Sequence, residues 1–221
     1  MPRTKFEHDF LSALGPLLRA ADTAAALDAL IAYPPCILVN LLNPTDAELL
    51  AVAIEALRMT GSIAECDPIV PFLAHQDPAI AAAAENALWS IWMRAGSAAG
   101  NRRLARAMRQ IQADQHYQAR QSLMDLTVDE PQFAEAHHQL GLVLSLIERG
   151  DDALLSLRRA LRLNPLHFAA ASGIGHIHAM RGELADALRN YRRSLQIHPN
   201  QPDLREVLPQ LEAAVRRSAV A

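Results

Sequence analysis

Two consecutive stretches in the second half of the chain have the same layout: AEAHHQLGLVLSLIERGDDALLSLRRALRLNP at residues 134–165 and AAASGIGHIHAMRGELADALRNYRRSLQIHP at residues 169–199. Small residues and a proline recur between them at a constant step of 34 positions. These recurring positions are Gly141 and Gly175, Ala153 and Ala187, and Pro165 and Pro199. A fixed step of this length indicates a chain built from stacked structural units.

Each recurring position has a physical reason in a pair of helices. Gly141 and Gly175 are expected where the first helix of a unit crosses the second most closely, since a larger side chain would force the helices apart. Ala153 and Ala187 are expected to face them across that crossing. A proline ends each second helix, because its ring clashes with the preceding turn and it has no N–H to donate.

The turn inside each helix pair is marked by a glycine. Gly182 takes this position in the later unit, whereas the earlier unit has Gly150, two positions later in register. We therefore expect the loop or the helix end of the earlier unit to differ.

The period of 34 with its small-residue and proline positions resembles the tetratricopeptide (TPR) repeat, a helix-turn-helix unit that stacks into a solenoid. Over about residues 85–207 the chain also resembles uncharacterised bacterial TPR proteins with an extra helical region at the N-terminus. The resemblance implies an all-α, right-handed solenoid. Within a TPR region at 96–221 we expect a degenerate unit at about 100–131, full units at 132–165 and 166–199, and a capping helix at 202–217.

The first half contains a weaker internal similarity. LLNPTDAELLAVAIEAL at residues 41–57 matches FLAHQDPAIAAAAENAL at residues 72–88, and each copy reads as a short helix, a polar turn and a longer helix. This resembles the short bacterial form of the HEAT repeat. We therefore expect HEAT-like helical repeats over residues 1–95.

Composition narrows the class of partner. The chain has 21 basic and 24 acidic residues and a net charge of −3. It therefore lacks the excess of basic residues that is typical of a nucleic-acid-binding surface. No stretch reaches the ~18 uninterrupted apolar residues that a membrane span requires, and no signal peptide is recognisable. The sequence predicts a cytoplasmic protein that binds neither nucleic acid nor membrane.

The stretch GIGHIHAMRG at residues 173–182 contains two histidines and three glycines, which are the residue types of metal sites and of phosphate-binding loops. On a helix, His176 and His178 lie about 200° apart and cannot hold one ion together. The glycines lack the third glycine of a dinucleotide loop and the lysine of a phosphate loop. Because no other metal, nucleophile or carboxylate motif is present, we expect no catalytic residue, no metal and no cofactor, and thus not an enzyme.

A peptide-binding groove is the remaining candidate site. In TPR proteins the first helix of each unit lines the concave face, and the resemblance implies which positions would meet a ligand. These residues are Glu135, His138, Gln139, Leu142, Ser145, Ser172, His176 and Met180. Their mixed apolar and weakly polar character predicts a non-catalytic adaptor or scaffold that binds a protein or peptide partner.

Three alternatives stay open at this point. The groove residues could instead pack against the chain itself or against a second copy, which would make the protein a self-associating structural element. HEAT-like repeats also occur in bilin lyases, so the chain could be an accessory subunit of an enzyme. Trp89 and Trp92, three residues apart, could be core residues or an exposed anchor for a partner.

Overall fold

The computed structural model describes residues 22–42 and 46–218. Within these ranges the chain forms twelve α-helices and three short 3₁₀ segments, and it forms no strand. The predicted all-α helical-repeat fold is confirmed. None of the described helices is long and apolar enough to cross a membrane.

The chain divides into two compact units between Ile91 and Trp92, whereas the predicted boundary follows residue 95. The helices of the first unit are α1 (Thr23–Ile31), α2 (Pro35–Leu38), α3 (Ala47–Thr60), α4 (Cys66–Ile69) and α5 (Pro78–Met93), whose last two residues belong to the second unit. The 3₁₀ segments are Val39–Leu41, Ile63–Glu65 and Val70–Ala74.

In the first unit, each of the two similar stretches begins within a 3₁₀ segment that follows a short helix, and continues into a longer helix. Asp46 caps α3 by accepting a hydrogen bond from the Leu49 N–H at 3.0 Å. Asp77 accepts one from the Ala79 N–H at 2.8 Å at the start of α5. The HEAT-like class stays a prediction, and its parts at residues 1–21 and 43–45 lie outside the described residues.

The second unit is a row of helical hairpins with a closing helix. Its helices are α6 (Ala98–Gln112), α7 (His116–Asp129), α8 (Ala134–Leu146), α9 (Gly150–Leu163), α10 (Phe168–Met180), α11 (Leu184–Ile197) and α12 (Pro202–Ser218). Consecutive helices pair as α6 with α7, α8 with α9 and α10 with α11, and α12 packs on α11. The first helices α6, α8 and α10 are neighbours in that order.

The glycine positions explain the close packing within hairpins. A Cβ on Gly141 would lie 2.6 Å from Leu157 Cγ and 3.2 Å from the Ala153 carbonyl oxygen. A Cβ on Gly175 would likewise lie 2.6 Å from Tyr191 Cδ1. Because a Cβ atom at these distances would clash with the facing helix, only glycine allows the two helices of each hairpin to approach this closely.

The turns inside the three hairpins have one geometry, so the expectation that the turn near Gly150 would differ is wrong. Asp114, Glu148 and Gly182 occupy the left-handed region with φ of 55°, 61° and 73°, at a constant step along the chain. In each turn the next N–H donates to a carbonyl five residues earlier, as from Arg149 to Leu144 at 2.8 Å. Gly150 lies two residues after Glu148, as the first residue of α9. The backbone keeps the turn even where the residue is not glycine, although left-handed geometry disfavours other side chains.

The core of the second unit runs through all three hairpins. Leu104, Leu123, Leu140, Leu157 and Ile174 belong to one buried cluster. A smaller cluster joins α11 to α12.

In that smaller cluster Leu211 of α12 is buried, with Leu204, Leu208 and Val215 partly buried around it. Val207 of the same helix is exposed. The closing helix therefore covers the end of the core with one apolar face.

Candidate functional site

The predicted groove residues lie on the neighbouring helices α8 and α10, and the structure separates them into two groups. Glu135, His138 and Gln139, near the start of α8, are buried. The others are exposed or half-buried: Leu142, Ser145, Ser172, His176 and Met180. Together with Leu146, an exposed residue at the end of α8, we call them the open surface.

The buried group is organised around the carboxylate of Glu135. His138 Nδ1–H donates to Glu135 Oε1 at 3.0 Å, and Gln139 Nε2 donates to the same oxygen at 2.7 Å. These contacts follow from spacings of three and four residues on one helix. The other oxygen, Oε2, accepts from His167 Nε2–H at 3.0 Å. We call Glu135, His138, Gln139 and His167 the Glu135 cluster.

His167 also caps the next helix. Its Nδ1 accepts a hydrogen bond from the Ala170 N–H at 3.3 Å, at the start of α10. A ring nitrogen that accepts a hydrogen bond carries no hydrogen itself. The hydrogen of the neutral ring therefore lies on Nε2, where it faces Glu135. The two contacts together specify one tautomer and the uncharged form.

Electrostatics agree with this geometry. Complete burial lowers the pKa of His167, the nearby His138 lowers it further, and together they outweigh the attraction of Glu135, so that the pKa falls to about 4. Burial raises the pKa of Glu135, but the charge of His138 and the hydrogen bonds from His138 and His167 outweigh it and hold that pKa well below its ordinary range. The cluster is therefore an ionised carboxylate held by three donors.

Aromatic rings enclose the cluster. The indole of Trp92 stacks on the His167 ring with centroids 4.7 Å apart, and it lies 5.4 Å from the Phe168 ring. The rings of His138 and His167 are 4.3 Å apart. Trp92 is thus a core residue of the second unit, while Trp89 is half-buried.

The prediction that Glu135, His138 and Gln139 line an open groove is wrong, because their polar atoms bind one another and His167 in the protein interior. Sequence reasoning missed His167 and Trp92 as their partners. A usable signal existed for His167, which stands two residues after a helix-ending proline, where the next helix needs a cap.

The Glu135 cluster has the donor types of a zinc site, and its ligand atoms lie within 4.8 Å of one another. Its hydrogen bonds argue against such a role. A metal ion would need the lone pair of His167 Nε2, which carries the hydrogen as long as Nδ1 caps α10. The arrangement suits a structural hydrogen-bond network around a buried carboxylate instead.

The open surface has matching positions on its two helices. Leu142 and His176 occupy the same place in their repeats, as do Leu146 and Met180. The side chains of Leu146 and Met180 are unusually accessible for large apolar residues, with 57% and 70% of their surface exposed. Such exposure on adjacent helices is typical of an interaction surface.

Comparisons with solved structures give the fold. The first TPR of Spaghetti (RPAP3), bound to an HSP90 peptide, superposes with a TM-score of 0.51 at 15% identity, over 53% of this chain and 93% of that one. The part of the chain that superposes has the TPR fold. No protein-family model and no curated protein sequence matches it.

Other TPR structures are similar at lower scores. One is the type III secretion chaperone SycD of Yersinia enterocolitica in complex with a YopD peptide, with a TM-score of 0.48, 16% identity and coverage of 57% of this chain and 95% of that one. Another is YrrB, a TPR protein with an unusual peptide-binding site, with a TM-score of 0.47, 17% identity and coverage of 90% and 89%.

Proposed function

We propose that this protein is a non-catalytic, cytoplasmic adaptor that binds a peptide segment of a partner protein across the open surface. The observation that carries the proposal is the pair of exposed apolar side chains, Leu146 and Met180, at equivalent positions of adjacent helices. The peptides bound by similar TPR structures support the same class of function.

The chemistry of the open surface favours a partner segment with apolar side chains. Leu142, Leu146 and Met180 favour a segment with two or three apolar side chains. His176 is exposed and offers ring nitrogens for hydrogen bonds. The Ser172 hydroxyl already donates to the Ala169 carbonyl at 3.0 Å, so only its oxygen is open to a ligand. An extended or helical peptide with spaced apolar anchors and few charges fits these groups.

The test begins with selection from a random peptide-display library on the immobilised full chain. Selected peptides are then measured by fluorescence anisotropy against Leu146→Asp plus Met180→Asp. We expect apolar anchors in the selected sequences and at least a tenfold loss of affinity in this variant, because a carboxylate at either position removes the apolar contact.

The matched control is Leu155→Asp, since Leu155 is equally exposed but lies on α9. This variant should bind the peptides as the wild type does. The proposal would be contradicted if both variants lost affinity for the peptides equally, or if the double variant bound them as the wild type does. Light scattering on the same samples separates peptide binding from self-association of the chain.

A further inference from the structure

Two pairs of arginines line a single pocket on the second helices of the last two hairpins. Arg158 and Arg162 are four residues apart on α9, and Arg189 and Arg193 are four residues apart on α11. The pocket has a volume of about 370 Å³. We propose that this arginine pocket binds the phosphoryl group of a ligand, at a site separate from the open surface on α8 and α10.

The charges of the pocket are mostly uncompensated. Asp186 is the one carboxylate among the lining residues, and its Oδ1 lies 2.6 Å from Arg189 Nη2. Arg158, Arg162 and Arg193 form no ion pair with any residue of 22–42 or 46–218. Three guanidinium groups therefore face the pocket with their donors uncommitted.

Stability does not account for this arrangement. Like charges four residues apart on a helix destabilise it, and here two such pairs face each other. The chain as a whole carries a net charge of −3, so arginines do not crowd this pocket merely because basic residues are abundant. A bound anion would reduce the repulsion between the arginine side chains, and this reduction would contribute to the free energy of binding.

The donors favour a phosphoryl group over a single carboxylate. A carboxylate offers two oxygens and one charge, which one guanidinium can satisfy. A phosphoryl group offers three oxygens and nearly two charges, which suits several guanidinium groups converging from two helices.

The remaining lining residues complete a site for a small molecule. Asn190 adds an amide, and the buried side chains of Leu161 and Ile174 form an apolar floor. His178 Nδ1 is engaged by the carboxylate of Glu183, which is the second acidic group beside the pocket. The volume is at the lower end of the range for small-molecule sites, which begins at about 300 Å³.

Isothermal titration of the full chain tests the proposal, with inorganic pyrophosphate and a phosphoserine hexapeptide as probes and citrate as a carboxylate of similar charge. All titrations use one ionic strength, because salt screens exposed charges. We expect pyrophosphate or the phosphopeptide to bind with one-to-one stoichiometry, and citrate at least fivefold more weakly. Tighter binding of the peptide would assign the phosphate to a modified protein, and tighter binding of pyrophosphate to a free small molecule.

The decisive variant is Arg162→Gln plus Arg193→Gln, which should weaken phosphate binding at least tenfold. Its matched control is Arg102→Gln plus Arg106→Gln, another exposed pair four residues apart, on α6, which should bind within twofold of the wild type. Circular dichroism melting checks that both variants fold. The proposal fails if neither phosphate probe binds, if citrate binds as tightly, or if both variants lose affinity equally.

Discussion

The two ends of helices α8 and α10 have opposite characters although they belong to the same repeats. At the N-terminal end, the Glu135 cluster is buried under the indole of Trp92. At the C-terminal end, Leu146 and Met180 are exposed. One helix surface thus holds a buried hydrogen-bond network at one end and an accessible apolar patch at the other.

This difference shows that a position in a repeat does not fix its environment. His138 and Ser172 are equivalent in register, yet His138 is buried beside Glu135 while Ser172 is half-buried. The neighbours differ, because the His138 ring lies 4.3 Å from the His167 ring, whereas Ser172 donates to the Ala169 carbonyl of its own helix. Substitutions at the buried end should therefore lower stability, whereas substitutions at the exposed end should affect binding, and this difference can be measured.

The largest effect is expected at Glu135. Glu135→Gln removes a buried charge that accepts three hydrogen bonds and places an amide donor against the donors of its neighbours. Loss of this buried, charged acceptor of three hydrogen bonds should lower the free energy of unfolding by about 3 kcal/mol, measured by urea denaturation.

The matched control for that substitution is Glu183→Gln. Glu183 also pairs with a histidine, His178, but its own side chain is largely accessible. We expect a change below about 1 kcal/mol, as for other exposed pairs. Similar losses for both substitutions would contradict the view that burial distinguishes the two sites.

An intermediate effect concerns pH. The folded pKa of His167 is about 4, below its ordinary value of 6.5, so between these values the unfolded chain binds a proton that the folded chain does not. Stability from His167 is therefore present above pH 6.5 and falls as the pH drops toward 4, at up to about 1.4 kcal/mol per pH unit. Below that, protonation of Glu135, whose folded pKa is depressed, continues the decline.

His167→Asn tests this dependence, because asparagine can keep the helix cap but does not titrate. The slope of unfolding free energy against pH should become shallower in this variant between pH 6.5 and pH 4, the ordinary and folded pKa values of His167. His176→Asn, at an exposed histidine of the same helix, should leave the slope unchanged. An unaltered slope in His167→Asn would show that His167 is not the titrating group.

The smallest effect on stability is expected at the open surface. Leu146→Ser plus Met180→Ser should change the free energy of unfolding by no more than about 0.5 kcal/mol per site, because both side chains already contact water. Leu144→Ser is the comparison on the same helix, at a buried leucine, and should cost at least about 2 kcal/mol. A large loss in the double variant would mean that these residues stabilise the fold rather than bind a ligand.

Much of the second unit could be predicted from local patterns. The recurring proline and the amphipathic spacing indicated the hairpins, and the predicted closing helix at 202–217 is present as α12, Pro202–Ser218. Such features follow from short-range chemistry: proline cannot continue a helix, and an apolar stripe requires a partner. The turn at Glu148 was less predictable, because its left-handed geometry is imposed by the flanking hydrogen bonds and not by a glycine.

The sequence by itself determined the repeat length, the all-helical architecture and the register that aligns Leu146 with Met180, because these depend on residues close together in the chain. Only the tertiary structure decided which of the aligned positions are accessible. Glu135 and His167 are distant in sequence, as are Trp92 and His167, and their contacts close one end of the helix surface. Convergence of Arg158, Arg162 and Arg193 on one pocket likewise depends on how α9 and α11 flank α10, which no local pattern specifies.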